Sequence, residues 1–230
     1  MLIKSLKESW SFFKIHSVAL SIIILPIAAP VEIFSSLYEY FLNSDEFHFI
    51  EEMVPMAVNA ITYPIYTIAV IFYIASVITG ETLNTKMLWK LGAKFWLPYI
   101  IMSAMIIITV VSGFILLIVP GIILIIRYAF SEFDLLLNKN KPLNALKNSW
   151  SETKEYMWVI FGGYVIITFA LVVPYYLIAA IFEGSSISYW VLYTLLNIAY
   201  SVLAVLYTIF AFRIYEHSKS QHNKAIKKDV

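Results

Sequence analysis

Two charged residues stand inside long apolar runs: Glu32 in SIIILPIAAPVEIFSSL and Arg127 in VPGIILIIRYAF. An ionised side chain at the centre of a bilayer costs about 2.5–3.5 kcal/mol on insertion scales, so such groups pair, take up water or serve a function. Counted along a helix from the ends of their runs, both fall at similar depth in a hydrocarbon core of about 30 Å. An interhelical Glu32–Arg127 pair is one solution, with Pro26 and Pro30 opening backbone carbonyls beside it. The other is that Arg127 snorkels to a phosphate while Glu32 is protonated or faces water.

Further candidates are uncharged. Tyr193, Tyr200 and Tyr207 recur at seven-residue spacing with Tyr189 and Asn197 on the same face, and Asn59, Tyr63, Tyr66 and Tyr73 follow a related spacing. Tyr63, Tyr66, Tyr193, Asn197 and Tyr200 are candidates to line a polar crevice for a substrate or lipid headgroup. Stripes of this kind also arise from plain helix packing with interhelical hydrogen bonds. Asp45, Glu46, His48, Glu51 and Glu52 offer oxygen and imidazole ligands, but their spacing fits no recognised metal site and a solvated acidic loop explains them. His16, His48, His217 and His222 are scattered, and the chain has no cysteine, so thiolate nucleophiles and disulfides are excluded. No catalytic constellation, cofactor motif, metal motif or nucleic-acid motif stands in the sequence, and a non-enzymatic protein is expected.

The elements that must carry these residues follow from composition. Of the 230 residues, 61% are hydrophobic and 13% charged, against roughly 45–50% and 25% in a soluble domain. Lipid must solvate most of the chain, which is expected to be a single polytopic membrane domain, 1–230. A crossing needs about 20 apolar residues. That length gives six all-α spans at about 17–38, 54–78, 96–118, 120–137, 157–182 and 188–212. Lys4, Lys7 and Lys14 before an apolar run, with Ala28–Ala29 after it, resemble a secretory signal; Pro30 after the cleavage position disfavours cutting, so the first span is expected to be retained. Residues 95–126 carry no charge and would make one helix of about 48 Å, too long for one crossing; Val119-Pro120-Gly121 is expected to turn it into a hairpin.

With six spans, fifteen of the sixteen basic residues fall on one side, and the positive-inside rule makes that side cytoplasmic. Both termini are then expected to be cytoplasmic. Charge also coincides with a repeat. KESWSFFK (7–14) returns as KNSWSETK (147–154), and Lys86-x-x-Trp89 followed by Lys94 and Trp96 is a weaker third copy. Each precedes an outward span, so the expected architecture is three consecutive hairpins, each preceded by a short interfacial amphipathic helix with Trp at the headgroups and lysines towards anionic lipid.

The stretch ILLIVPGIILIIRYAFSEFDLLLNKNKPLNALKNSWSETK (115–154) resembles the YciC-like family of bacterial inner-membrane proteins, and is similar to the membrane domain of some glycerophosphodiester phosphodiesterases. The resemblance rests on Pro120-Gly121, Arg127 and Ala145-Leu146-Lys147-x-Ser149-Trp150. It implies a multi-pass fold in a bacterial inner (plasma) membrane and brings no catalytic or binding residues. The functional expectation is an envelope or lipid-associated scaffold or accessory protein, its partners being membrane lipids, another protein or a second copy. The alternative is a small-solute or lipid transporter or channel.

Overall fold

Nine α-helices are the regular elements of the described residues in the computed structural model, which describes all but residues 43–48, 82, 182–186 and 229–230, and no side chains of residues 40, 42, 49–52, 187–189 and 222–228. They are α1 Leu2–Leu42, α2 Phe49–Thr79, α3 Thr85–Leu116, α4 Ile118–Arg127, α5 Ser131–Leu137, α6 Pro142–Glu152, α7 Met157–Ile181, α8 Ile187–Leu203 and α9 Val205–Lys228. Among the described residues, five helices are long and apolar enough to cross a membrane: Leu2–Glu39, Met53–Thr79, Thr85–Leu116, Met157–Ile181 and Trp190–Gln221. The protein is therefore an all-helical membrane protein. The acidic cluster Asp45, Glu46 and His48 lies outside the described residues, as do the side chains of Glu51 and Glu52.

The structure differs from the sequence expectation at the fourth span. Residues 120–137 do not form one helix: α4 ends at Arg127, a turn occupies 128–130, and α5 begins at Ser131. At ten residues α4 is about 15 Å long, half a hydrocarbon core. The turn between α3 and α4 also comes earlier than Pro120-Gly121, at Leu117, whose backbone is extended (φ −165°, ψ 155°). The reason is the missing N–H of proline: placed at the third position of α4, Pro120 falls among the first four residues of a helix, whose N–H groups need no intrahelical acceptor. Gly113 and Gly121 let the two arms touch. A Cβ on Gly121 would lie 2.5 Å from the Phe114 ring, and one on Gly113 would lie 3.0 Å from the Cα of Gly121.

The chain divides into two compact units. The first comprises residues 1–15, 94–166 and 206–230, the second residues 16–93 and 167–205. In the first unit an aromatic core joins α5 to α9, with Phe133 edge-on to Phe212 at 5.2 Å and Phe130 edge-on to Tyr215 at 5.5 Å. The start of α1 packs there too: the Arg213 guanidinium lies 5.6 Å from the Phe12 ring, and Leu2 lies against Gly162. Lys219 of α9 reaches Glu152 of α6 at 2.7 Å. In the second unit, Leu20, Ile23 and Ile24 of α1 and Ile68, Ala69 and Ile71 of α2 are buried. His16 hydrogen-bonds the Tyr73 hydroxyl at 2.9 Å, and the Trp89 indole donates to the carbonyl of Ile23 at 3.2 Å.

Candidate functional sites

The Trp-Lys segments share more in three dimensions than in sequence. Residues 1–20 and 141–160 match as buried, half-buried or exposed at every position except 6/146, 8/148 and 12/152. The weak third copy follows the same phase, with residues 85–99 matching 6–20 except at 89/10 and 91/12. In each, the residue before Trp is buried (Ser9, Leu88, Ser149) and the lysine two residues earlier is exposed (Lys7, Lys86, Lys147). A half-buried helix always shows a 3.6-residue period; here its phase is also tied to the tryptophan. The first and third copies run without interruption into α1 and α3 rather than forming separate short helices, whereas the second is α6, divided from α7 by a turn at 153–156.

The tryptophans do different work. Trp10 is 47% exposed, stacked on Phe13 with Lys14 5.9 Å from its ring. Trp150 is 41% exposed on one side, and on the other it carries the Arg127 guanidinium 4.5 Å from its ring centroid. A cation over a partly exposed indole is stabilised by about 0.5–1 kcal/mol. Arg127 thus has a partner in the first unit, while Glu32 belongs to the second and has its own partner there.

The octapeptide of α6 also pins the α4–α5 break. The Ser149 hydroxyl donates to the Arg127 carbonyl at 2.7 Å and accepts from the Phe130 N–H at 3.1 Å, and the Thr153 hydroxyl, which donates to the Ser149 carbonyl at 2.7 Å, also lies 3.1 Å from the Arg127 carbonyl. These side chains take up backbone groups that a continuous helix would have paired internally. Ser149→Ala is expected to leave the buried Phe130 N–H without its acceptor and cost about 1–3 kcal/mol. Ser9→Ala at the equivalent position removes only a bond to the carbonyl of Ser5 in its own helix and is expected to cost less. Comparative melting of the two variants checks the order, and equal losses would refute this role for Ser149.

Beside it lies a second polar assembly. Asp134 is almost fully buried, and its carboxylate accepts from the side-chain amides of Asn138 (2.5 Å), Asn140 (2.8 Å) and Asn148 (2.9 Å). The Asn138 amide donates in addition to the Tyr215 hydroxyl at 3.0 Å. Lys139, between two of these asparagines, has φ 55°, a left-handed conformation that terminates α5. Next to this hub, Asn148, Ser151, Glu152, Lys154, Tyr156 and Lys219 help line a polar cleft of about 790 Å³. Burial, reinforced by the neighbouring Glu155 carboxylate, pushes the Tyr156 phenol above its usual range.

In the second unit, α8 presents Trp190, Thr194, Asn197 and Ser201 at spacings of four, three and four, one helical face. The single proton of the Ser201 hydroxyl is shared between the Glu32 carboxylate and the Asn197 carbonyl, each 3.0 Å away, and Trp190 donates to the Ser36 carbonyl at 2.8 Å. Tyr175 of α7 donates to Asn197 Oδ1 at 2.7 Å and packs edge-on to Tyr193 and Tyr200. A cavity of about 230 Å³ opens among Val172, Tyr175, Tyr176, Asn197 and Tyr200. Asn197 and Tyr200 therefore line a crevice, with Tyr193 on its tyrosine cluster. Tyr63 and Tyr66 instead pack on each other at 5.3 Å, and the Tyr66 phenol lies within electrostatic range of Glu32. Tyr175, the centre of this cluster, was missed from sequence, where Pro174-Tyr175-Tyr176 was its only signal.

Among the described residues, no three metal-ligating side chains of the His, Cys, Asp or Glu type gather. Compared with models of protein families, with curated proteins and with solved structures, the chain matches none at a significant level.

Proposed function

We propose that the protein is a non-enzymatic scaffold of the bacterial inner membrane that gathers anionic lipid at its three Trp-Lys segments. One observation carries this reading: the three copies keep the same burial phase and turn a lysine outward at the same step before the tryptophan. At headgroup level each segment would offer a lipid phosphate a lysine, to which Trp10 and Trp150 add an exposed indole edge. Lipids are then the primary partners, and a protein partner or a second copy would assemble on the lipid-bound segments.

This reading includes six crossings, the return from α3 being made by α4 and α5 together as a broken segment, with both termini cytoplasmic. Five crossings would put the two termini on opposite sides. The even number is supported by the packing of Phe12 with Arg213 and of Glu152 with Lys219, which joins the N-terminal segment, α6 and the basic part of α9 in one unit. The resemblance to YciC-like proteins fits the same arrangement.

The test is lipid retention. Native mass spectrometry of the purified full chain is expected to find anionic phospholipid retained over zwitterionic phospholipid. Lys7→Glu, Lys86→Glu and Lys147→Glu together are expected to reduce it at least about threefold, each lysine near an anionic surface contributing about 1 kcal/mol. Unchanged retention in the triple variant would overturn the lipid reading. Because the chain has no cysteine, Ser151→Cys gives a single thiol, and its labelling by an impermeant reagent from outside intact cells would overturn the topology.

A further inference from the structure

One turn of α1 in the second unit holds three groups whose polar chemistry is incompletely answered. Glu32 is a carboxylate within an apolar helix, with the Ser201 hydroxyl as its hydrogen-bond donor. Ser35 and Ser36, three and four residues on, are 7% and 2% exposed, and neither hydroxyl has a hydrogen-bond partner. Residues at these spacings share a helix face, and the neighbouring contacts from Trp190 to Ser36 and from Ser201 to Glu32 put that face against α8.

An unpartnered buried hydroxyl is uncommon because a serine in a helix has an easy remedy: it donates to the carbonyl three or four residues back. Ser9, Thr62, Thr109, Ser112, Thr194 and Ser201 all do so in this chain. Ser35 and Ser36 do not, and both follow Glu32 within one turn of the same helix. Their oxygens keep their lone pairs available, as does Glu32.

We infer that Glu32, Ser35, Ser36 and Ser201 form a binding site for one monovalent metal cation, sodium or potassium, between α1 and α8. The donor set is all oxygen, which suits hard ions and disfavours the softer transition metals. The single carboxylate selects the charge. One monovalent ion makes the site neutral in a low-dielectric setting, whereas a divalent ion would leave an uncompensated positive charge. The inference concerns a different unit from the Ser9 and Ser149 segments and does not depend on the lipid reading.

The full chain in nanodiscs of zwitterionic lipid is melted in sodium chloride, potassium chloride or choline chloride at constant ionic strength, and equilibrium binding of radioactive sodium or rubidium is measured alongside. The expected result is a saturable rise in melting temperature with one alkali ion beyond choline, and about one ion bound per chain. Glu32→Gln is expected to abolish both signals. Ser35→Ala and Ser36→Ala, which remove only an oxygen and keep the helix, are each expected to raise the half-saturating concentration at least about tenfold, so the test stands even where the Glu32 variant does not fold. Equal melting in all three salts, or serine variants that respond like the parent, would overturn the site. A melting temperature that depends on pH and on neither ion would also overturn it, leaving Glu32 as a protonated partner of Ser201.

Discussion

Asp134→Ala is expected to be among the most damaging single substitutions in this protein, lowering stability by about 1.5–3 kcal/mol, the range for hydrogen bonds to a charged group. The mechanism is the orphaning of donors. Three asparagine amides, from Asn138, Asn140 and Asn148, converge on one carboxylate, and alanine would remove the acceptor they share; Asn138 is exposed and the other two are half-buried, so water takes up part of the loss. The loop after α5 should suffer as well, since Lys139 holds its left-handed backbone between two of those asparagines. Asp134→Asn retains one acceptor oxygen and is expected to lose clearly less. Thermal melting of the two variants in detergent measures the difference; an alanine variant as stable as the parent would mean that water serves the amides equally well.

Gly163→Val is expected to prevent native packing of the first unit or to destabilise it by about 3 kcal/mol, the upper end for overpacking. A Cβ at this position would overlap the ring of Phe210, which is fully buried. The ring has little freedom to retreat, being also 6.3 Å from the Tyr164 ring. Gly162→Ala one residue earlier is the internal control, because its Cβ would meet only the flexible end of Leu2 at 3.1 Å. A melting temperature for Gly162→Ala near the parent value, with a large loss for Gly163→Val, is the expected pair of results. Compensation of Gly163→Val by Phe210→Leu would identify the clash as the cause.

The contrast between those two glycines illustrates what was legible from residues alone. Both sit in one apolar run, MWVIFGGYVIITFALVV, and nothing local says which of them faces an aromatic ring. Similarly, ILLIVPGIILIIRYAFSEF reads as a turn followed by a span, because Pro120 and Gly121 announce a break while the residues after them are uniformly apolar. The break did form, three residues early. A second one, at 128–130, has no proline or glycine to mark it, and its partners Ser149 and Thr153 lie some twenty residues away in sequence.

The amino-acid order by itself determined what is additive along the chain. Helices long enough to cross a bilayer follow from runs of apolar residues, since each residue contributes its own transfer free energy and the backbone must satisfy itself internally. The placement of basic residues between the apolar runs and the Trp-Lys register are likewise properties of position, and the shared burial phase of the three copies follows that register. Tertiary structure alone decided which polar groups meet. The Arg127 guanidinium stacks on Trp150, the asparagines converge on Asp134, and Ser201 reaches Glu32 while Ser35 and Ser36 stay unpartnered. Such meetings depend on distance and direction, to which hydrogen bonds are sensitive within a fraction of an ångström and a few tens of degrees; apolar burial, being nondirectional, tolerates far more.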